Sequence, residues 1–175
     1  MKLSTRRLAF AGILAAVYAV VTYLCQPFAY GSIQFRLSEA LTVLCCFTPA
    51  AIPGMVVGCV VANVFTTLSF PVVDIVFGSL ATLLACLVTR RMSRSLDEKP
   101  WIAWLIPLPT VVSNAVIVGA MIAYFFTEGE SFLPAFAYNA LTVGAGEAAV
   151  MYALGLPLLY FLRKDSRISH QLRVV

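Results

Sequence analysis

Four ionisable residues stand in or beside long apolar runs: Arg36, Glu39, Asp74 and Glu147. A charged group at the centre of a bilayer costs on the order of 3 kcal/mol, so such residues face a protein interior or a water-filled cavity and mark function. Carboxylates there accept hydrogen bonds from N–H groups or exchange protons, and a guanidinium donates to oxygens or ring nitrogens. Three asparagines, Asn63, Asn114 and Asn139, add neutral donors and acceptors inside apolar segments. Each residue also has an ordinary reading. Arg36 and Glu39 suit a local i,i+3 ion pair, Asp74 suits a helix cap after Pro71, and each asparagine suits an interhelical hydrogen bond. Glu147 is harder to account for so simply, because its setting, GAGEAA, leaves room beside the carboxylate for a backbone or a ligand. Asn139, Thr142, Val143 and Glu147 recur at spacings of three, four and eight and share one helical face. Tyr30, Phe35 and Tyr138 could stack on a planar ligand or anchor the chain at an interface.

The elements that must position these groups follow from composition. The 175-residue chain is 61% hydrophobic and 11% charged, with a mean hydropathy of +0.93, against about 25% charge in soluble domains. This is an integral membrane protein with no room for a separate soluble domain. Eleven of its 12 Lys and Arg residues fall in three groups between apolar runs: Lys2, Arg6 and Arg7; Arg90, Arg91, Arg94 and Lys99; Arg163, Lys164, Arg167 and Arg173. Such grouping marks cytoplasmic loops and forms no continuous face for nucleic acid.

The pattern predicts an all-α, polytopic, single domain over residues 1–175, with six transmembrane helices near 8–25, 36–48, 51–69, 72–90, 101–126 and 135–162. The second is short, which calls for tilt or a backward extension through Phe35. TPAAIPG, residues 48–54, divides the second span from the third. Pro107 and Pro109 bend the fifth. Parity supports the count, because an even number of spans between the basic groups keeps both termini and every group cytoplasmic, and sets Glu128 and Glu130 outside. No internal repeat of the inverted type is evident.

Several classes of function are disfavoured. No G-x-x-x-x-G-K-[ST] is present, so the chain does not bind ATP in the P-loop manner. Neither G-x-S-x-G nor H-E-x-x-H occurs, and His170 is the one histidine. No catalysis, metal or cofactor is expected. The five cysteines, Cys25, Cys45, Cys46, Cys59 and Cys86, form no C-x-x-C pair and read as buried free thiols. The N-terminal segment imitates a signal peptide but is too long and lacks an A-x-A site, so it reads as a retained first helix.

GSIQFRLSEALTVL (31–44), FTPAAIPGMVVGCVVANVF (47–65) and DIVFGSLATLLA (74–85) together resemble the QueT-type proteins. These are substrate-binding subunits, or S components, of energy-coupling factor transporters linked to queuosine precursors. The resemblance runs from the first helix to the sixth. It implies a prokaryotic plasma-membrane protein that captures a 7-deazaguanine-type base outside the cell. It further implies docking on a transmembrane coupling protein driven by two cytoplasmic ATPases. The family's A-x-x-x-A docking stripe matches Ala11, Ala15 and Ala19. On this reading the substrate-binding residues are Gln34, Arg36, Glu39, Asp74, Asn114, Tyr138, Asn139 and Glu147. A rival reading is a stand-alone proton-coupled carrier with Asp74 and Glu147 as protonation sites; another is an assembly subunit with no ligand.

Overall fold

The computed structural model describes residues 4–26, 34–66, 71–127 and 131–174, and these are helical almost throughout. Tyr30, a candidate stacking or anchoring aromatic, and Glu128 and Glu130, expected on the outer side, lie outside the described residues. We number the helices α1 (Thr5–Leu24), α2 (Leu37–Cys46), α3 (Ala51–Thr66), α4 (Pro71–Met92), α5 (Pro100–Phe125), α6 (Phe132–Lys164) and α7 (Ser166–Val174). Four stretches are long and apolar enough to cross a membrane: Thr5–Leu24, Val72–Ser95, Pro100–Phe125 and Phe132–Lys164. The apolar α2 and α3 are shorter.

The expected backward extension of α2 through Phe35 does not occur, and its shortness is met in part by its winding. Residues 34–36 are not helical, and α2 winds its 10 residues as a 3-10 helix. At about 2.0 Å per residue this spans roughly 20 Å, where an α-helix would span about 15 Å. A 3-10 run this long is uncommon, because its hydrogen bonds are poorer, and it needs tertiary support. That support is visible: α2 contacts α1, α3, α4 and α6, and Ser38, Glu39, Ala40, Thr42, Val43 and Cys45 are all buried. The shortest apolar segment is therefore the central one.

Around it, α1 packs on α3, α3 on α4, α4 on α5 and α5 on α6. Small residues set these distances. A Cβ at Gly54 would lie 2.9 Å from the Ala11 carbonyl oxygen, and one at Gly58 would lie 2.7 Å from Tyr18 Cβ. The stripe on α1 is thus turned toward α3: Ala15 is buried, while Ala11 and Ala19 are half-buried at the contact's edge. In this structure the stripe serves packing within the chain.

Two long helices are irregular. In α5 the chain turns at Ile106 and Pro107, near the expected bend, and residues Asn114–Val118 form a π segment. In α6 a second π segment covers Met151–Gly155. π segments concentrate at functional sites because an extra residue per turn re-aims the neighbouring side chains. What composition read as a polar tail is the short helix α7, whose Ile168 and Leu172 pack on the core. The cysteines are all free, with Cys45, Cys59 and Cys86 buried.

Candidate binding site

Three helices meet through small polar contacts at mid-bundle. Thr42 of α2 lies 3.1 Å from Thr110 of α5, hydroxyl to hydroxyl, and 3.7 Å from the Met151 sulfur of α6. Thr42 also donates to the Glu39 carbonyl at 2.7 Å. One turn farther from the basic end, the same three helices present Glu39, Asn114 and Glu147. These residues are 0%, 1% and 1% exposed, so two carboxylates and an amide are buried one turn from the threonine contact.

The hydrogen bonding of this layer is incomplete. Both side-chain atoms of Asn114, both oxygens of Glu147 and Oε2 of Glu39 are buried with no hydrogen-bond partner among the described residues. Leaving a buried polar atom unmatched costs about 1–3 kcal/mol, and native interiors hold few of them. Five such atoms on three neighbouring residues constitute a set of sockets. The carboxylates ask for donors, and the amide offers one acceptor and one donor group. Glu147 also lies within electrostatic reach of Glu39 and Arg36.

Glu39 is anchored on its other side. Its Oε1 accepts from Tyr18 at 2.5 Å and from Thr82 at 3.1 Å. Beside it, Arg36 donates to Asn63 Oδ1 at 3.5 Å, and Asn63 donates to the Asp74 carbonyl at 2.9 Å. Gly78 makes this cluster possible, since a Cβ there would fall 2.9 Å from Asn63 Nδ2 and 3.6 Å from Arg36 Nη1. Arg36, Asn63 and Asp74 are all buried.

Of the residues singled out from sequence, the structure brings Arg36, Glu39, Asp74, Asn114 and Glu147 into the buried interior. Gln34 is half-buried at the entrance to α2. Asn139 is half-buried and donates to the Ala135 carbonyl at 2.8 Å, a bond within its own helix. Tyr138 is 62% exposed, which suits the interfacial anchor the sequence also allows. Sequence reasoning missed Tyr18, Thr82, Thr42, Thr110 and Gly78. A signal existed: Asp74, Gly78 and Thr82 repeat at spacing four on α4, as do Tyr18 and Thr22 on α1 and Thr110 and Asn114 on α5. That signal is weak, because threonine and tyrosine are tolerated in apolar helices without any function.

A bundle of apolar helices, four stretches of it long enough to cross a membrane, defines a membrane protein. The chain belongs to the QueT transporter family, whose profile matches residues 8–164. It is 38% identical over 73 residues to the queuosine precursor transporter QueT of Lactococcus lactis subsp. cremoris (strain MG1363), an alignment covering 41% of either chain. No solved structure matches it.

Proposed function

We propose that this transporter captures a queuosine precursor, a 7-deazaguanine-type base, at the buried layer that carries Glu39, Asn114 and Glu147. The observation that carries this reading is the set of unmatched atoms on those three residues. A guanine-like edge supplies adjacent N–H donors that a carboxylate accepts in bidentate fashion, and Asn114 can meet a ring nitrogen or the purine oxygen. Arg36 and Asp74 flank the site, and Gln34 lies at its mouth. The name of the Lactococcus lactis relative agrees with this ligand.

In this reading the chain is the S component of an energy-coupling factor importer in a prokaryotic plasma membrane. Six spans leave both termini in the cytoplasm, with α2 and α3 completing the four long helices. A separate coupling protein and two cytoplasmic ATPases drive delivery, consistent with the chain's lack of a P-loop sequence. Ala11 and Ala19, at the edge of the stripe that Ala15 buries, are what α1 offers to the coupling protein.

The test is thermal stabilisation of the purified chain by a panel of 7-deazaguanines with and without an aminomethyl group, purines and vitamins. A ligand at 100 times its Kd raises stability by about 2.7 kcal/mol. Stabilisation by the deazaguanines supports the reading, and a flat response across the panel rejects it. The unpartnered oxygens of Glu147 also suit a proton site, as a stand-alone carrier would use. Uptake by the isolated chain in ATP-free vesicles, following a proton gradient, would select that alternative.

A further inference from the structure

Glu39 is held in a way that Glu147 is not. Its Oε1 takes two donors, the Tyr18 hydroxyl at 2.5 Å and the Thr82 hydroxyl at 3.1 Å, while Oε2 has no partner among the described residues. A carboxylate with one oxygen pinned from two sides has its rotamer set, and the remaining oxygen is aimed before any ligand arrives. Such preorganisation removes an ordering cost from binding.

Tyr18 is itself fixed from behind. It is 1% exposed, and α3 approaches so closely at Gly58 that an added Cβ would fall 2.7 Å from Tyr18 Cβ. One turn along α1, Thr22 lies 2.7 Å from the Ser38 hydroxyl and donates to the Tyr18 carbonyl at 2.9 Å. Two side-chain contacts, Tyr18 to Glu39 and Thr22 to Ser38, therefore join α1 to consecutive residues of α2. The face of α1 that carries Ala11 and Ala15 thus also carries Tyr18, and Gly58 of α3 approaches both Ala15 and Tyr18.

We infer that Tyr18 is a positioning residue for substrate capture: its hydroxyl holds one Glu39 oxygen so that the other is presented to the ligand, and through this bond ligand occupancy steadies α1. This rests on the reading that Glu39, Asn114 and Glu147 bind a donor-rich base. Thr82 has the same role from α4, at a longer distance and with a smaller share. Neither side chain needs to touch the ligand.

The test compares the full-length chain with Tyr18→Phe, Glu39→Gln and the double variant, using a 7-deazaguanine base as the probe. Tyr18→Phe keeps the buried ring and removes only the hydroxyl. Affinity is expected to fall about tenfold or more, the scale of one charge-assisted hydrogen bond, and the pH profile of binding to change. In the Glu39→Gln background the same substitution should change affinity by less than about threefold, because the coupling runs through the carboxylate. Hydrogen exchange in α1 should slow on ligand addition in the parent chain and not in Tyr18→Phe. Unchanged affinity and pH profile in Tyr18→Phe, or an equal loss with and without Glu39, would overturn the inference while leaving the substrate reading intact. A parent chain that binds no base overturns both together.

Discussion

The two ends of the bundle differ in how their charged and amide side chains are matched. At the basic end, Val43, Phe47, Leu96, Ile106, Leu156, Leu159 and Leu162 form an apolar cluster, and the arginines around it find partners. Arg90 donates to the carbonyls of Cys45 and Cys46 at 3.4 and 3.0 Å, closing the open end of α2. Arg163 donates to the Leu96 carbonyl at 3.3 Å and stands 3.7 Å from Asp97. At the other end, Asn114 and Glu147 are equally buried and make no side-chain hydrogen bond among the described residues. Unmatched groups lower stability and are retained where a ligand completes them. On the proposed function, the contrast separates a half that holds the fold from a half in which a substrate would match the remaining groups.

Substitutions can break or sharpen that contrast. The largest effect on binding is expected from Glu147→Gln, which should weaken a 7-deazaguanine base about a hundredfold or more in a titration of purified protein. Its folded stability should stay the same or rise, because the variant no longer buries an unmatched carboxylate. Leu159→Ala in the opposite half should do the reverse. A buried leucine truncated to alanine costs about 2–5 kcal/mol, seen as a lower Tm, with affinity within about twofold of the parent.

Thr42→Val tests the contact between the two halves. It keeps the shape but loses the hydroxyl contact to Thr110, so stability should fall by about 1 kcal/mol and affinity should fall less than for Glu147→Gln. The smallest effect is assigned to Tyr138→Ala, which should leave affinity within about twofold, as its side chain is largely exposed. A tenfold loss there would return Tyr138 to the site.

Much of the architecture was legible because hydrocarbon imposes a length and a composition on each span. Leu8 to Leu24 and Pro71 to Arg90 read directly as helices for that reason. The 3-10 winding of α2 was not legible, since LSEALTVLCC carries no local signal for it and the stretch is sustained by four surrounding helices. The π segments escaped for a similar reason. In the site, ionisable residues announced themselves by their cost in lipid, so Arg36, Glu39, Asp74 and Glu147 could be named. Tyr18 and Thr82 could not, because a hydroxyl in an apolar helix is inexpensive and its partner lies 21 or 43 residues away. Exposure was equally hidden: Tyr138 and Asn139 are adjacent in sequence, yet one faces off the bundle and the other bonds within its own helix.

The central claim is that the Glu147 carboxyl contacts the substrate. Infrared difference spectroscopy of the carboxyl stretch, recorded on adding a 7-deazaguanine base to the purified chain and to Glu147→Gln, measures this directly. The account predicts a ligand-induced band shift in the parent that is missing from the glutamine variant. An identical difference spectrum in both proteins, with affinity unchanged, would contradict it.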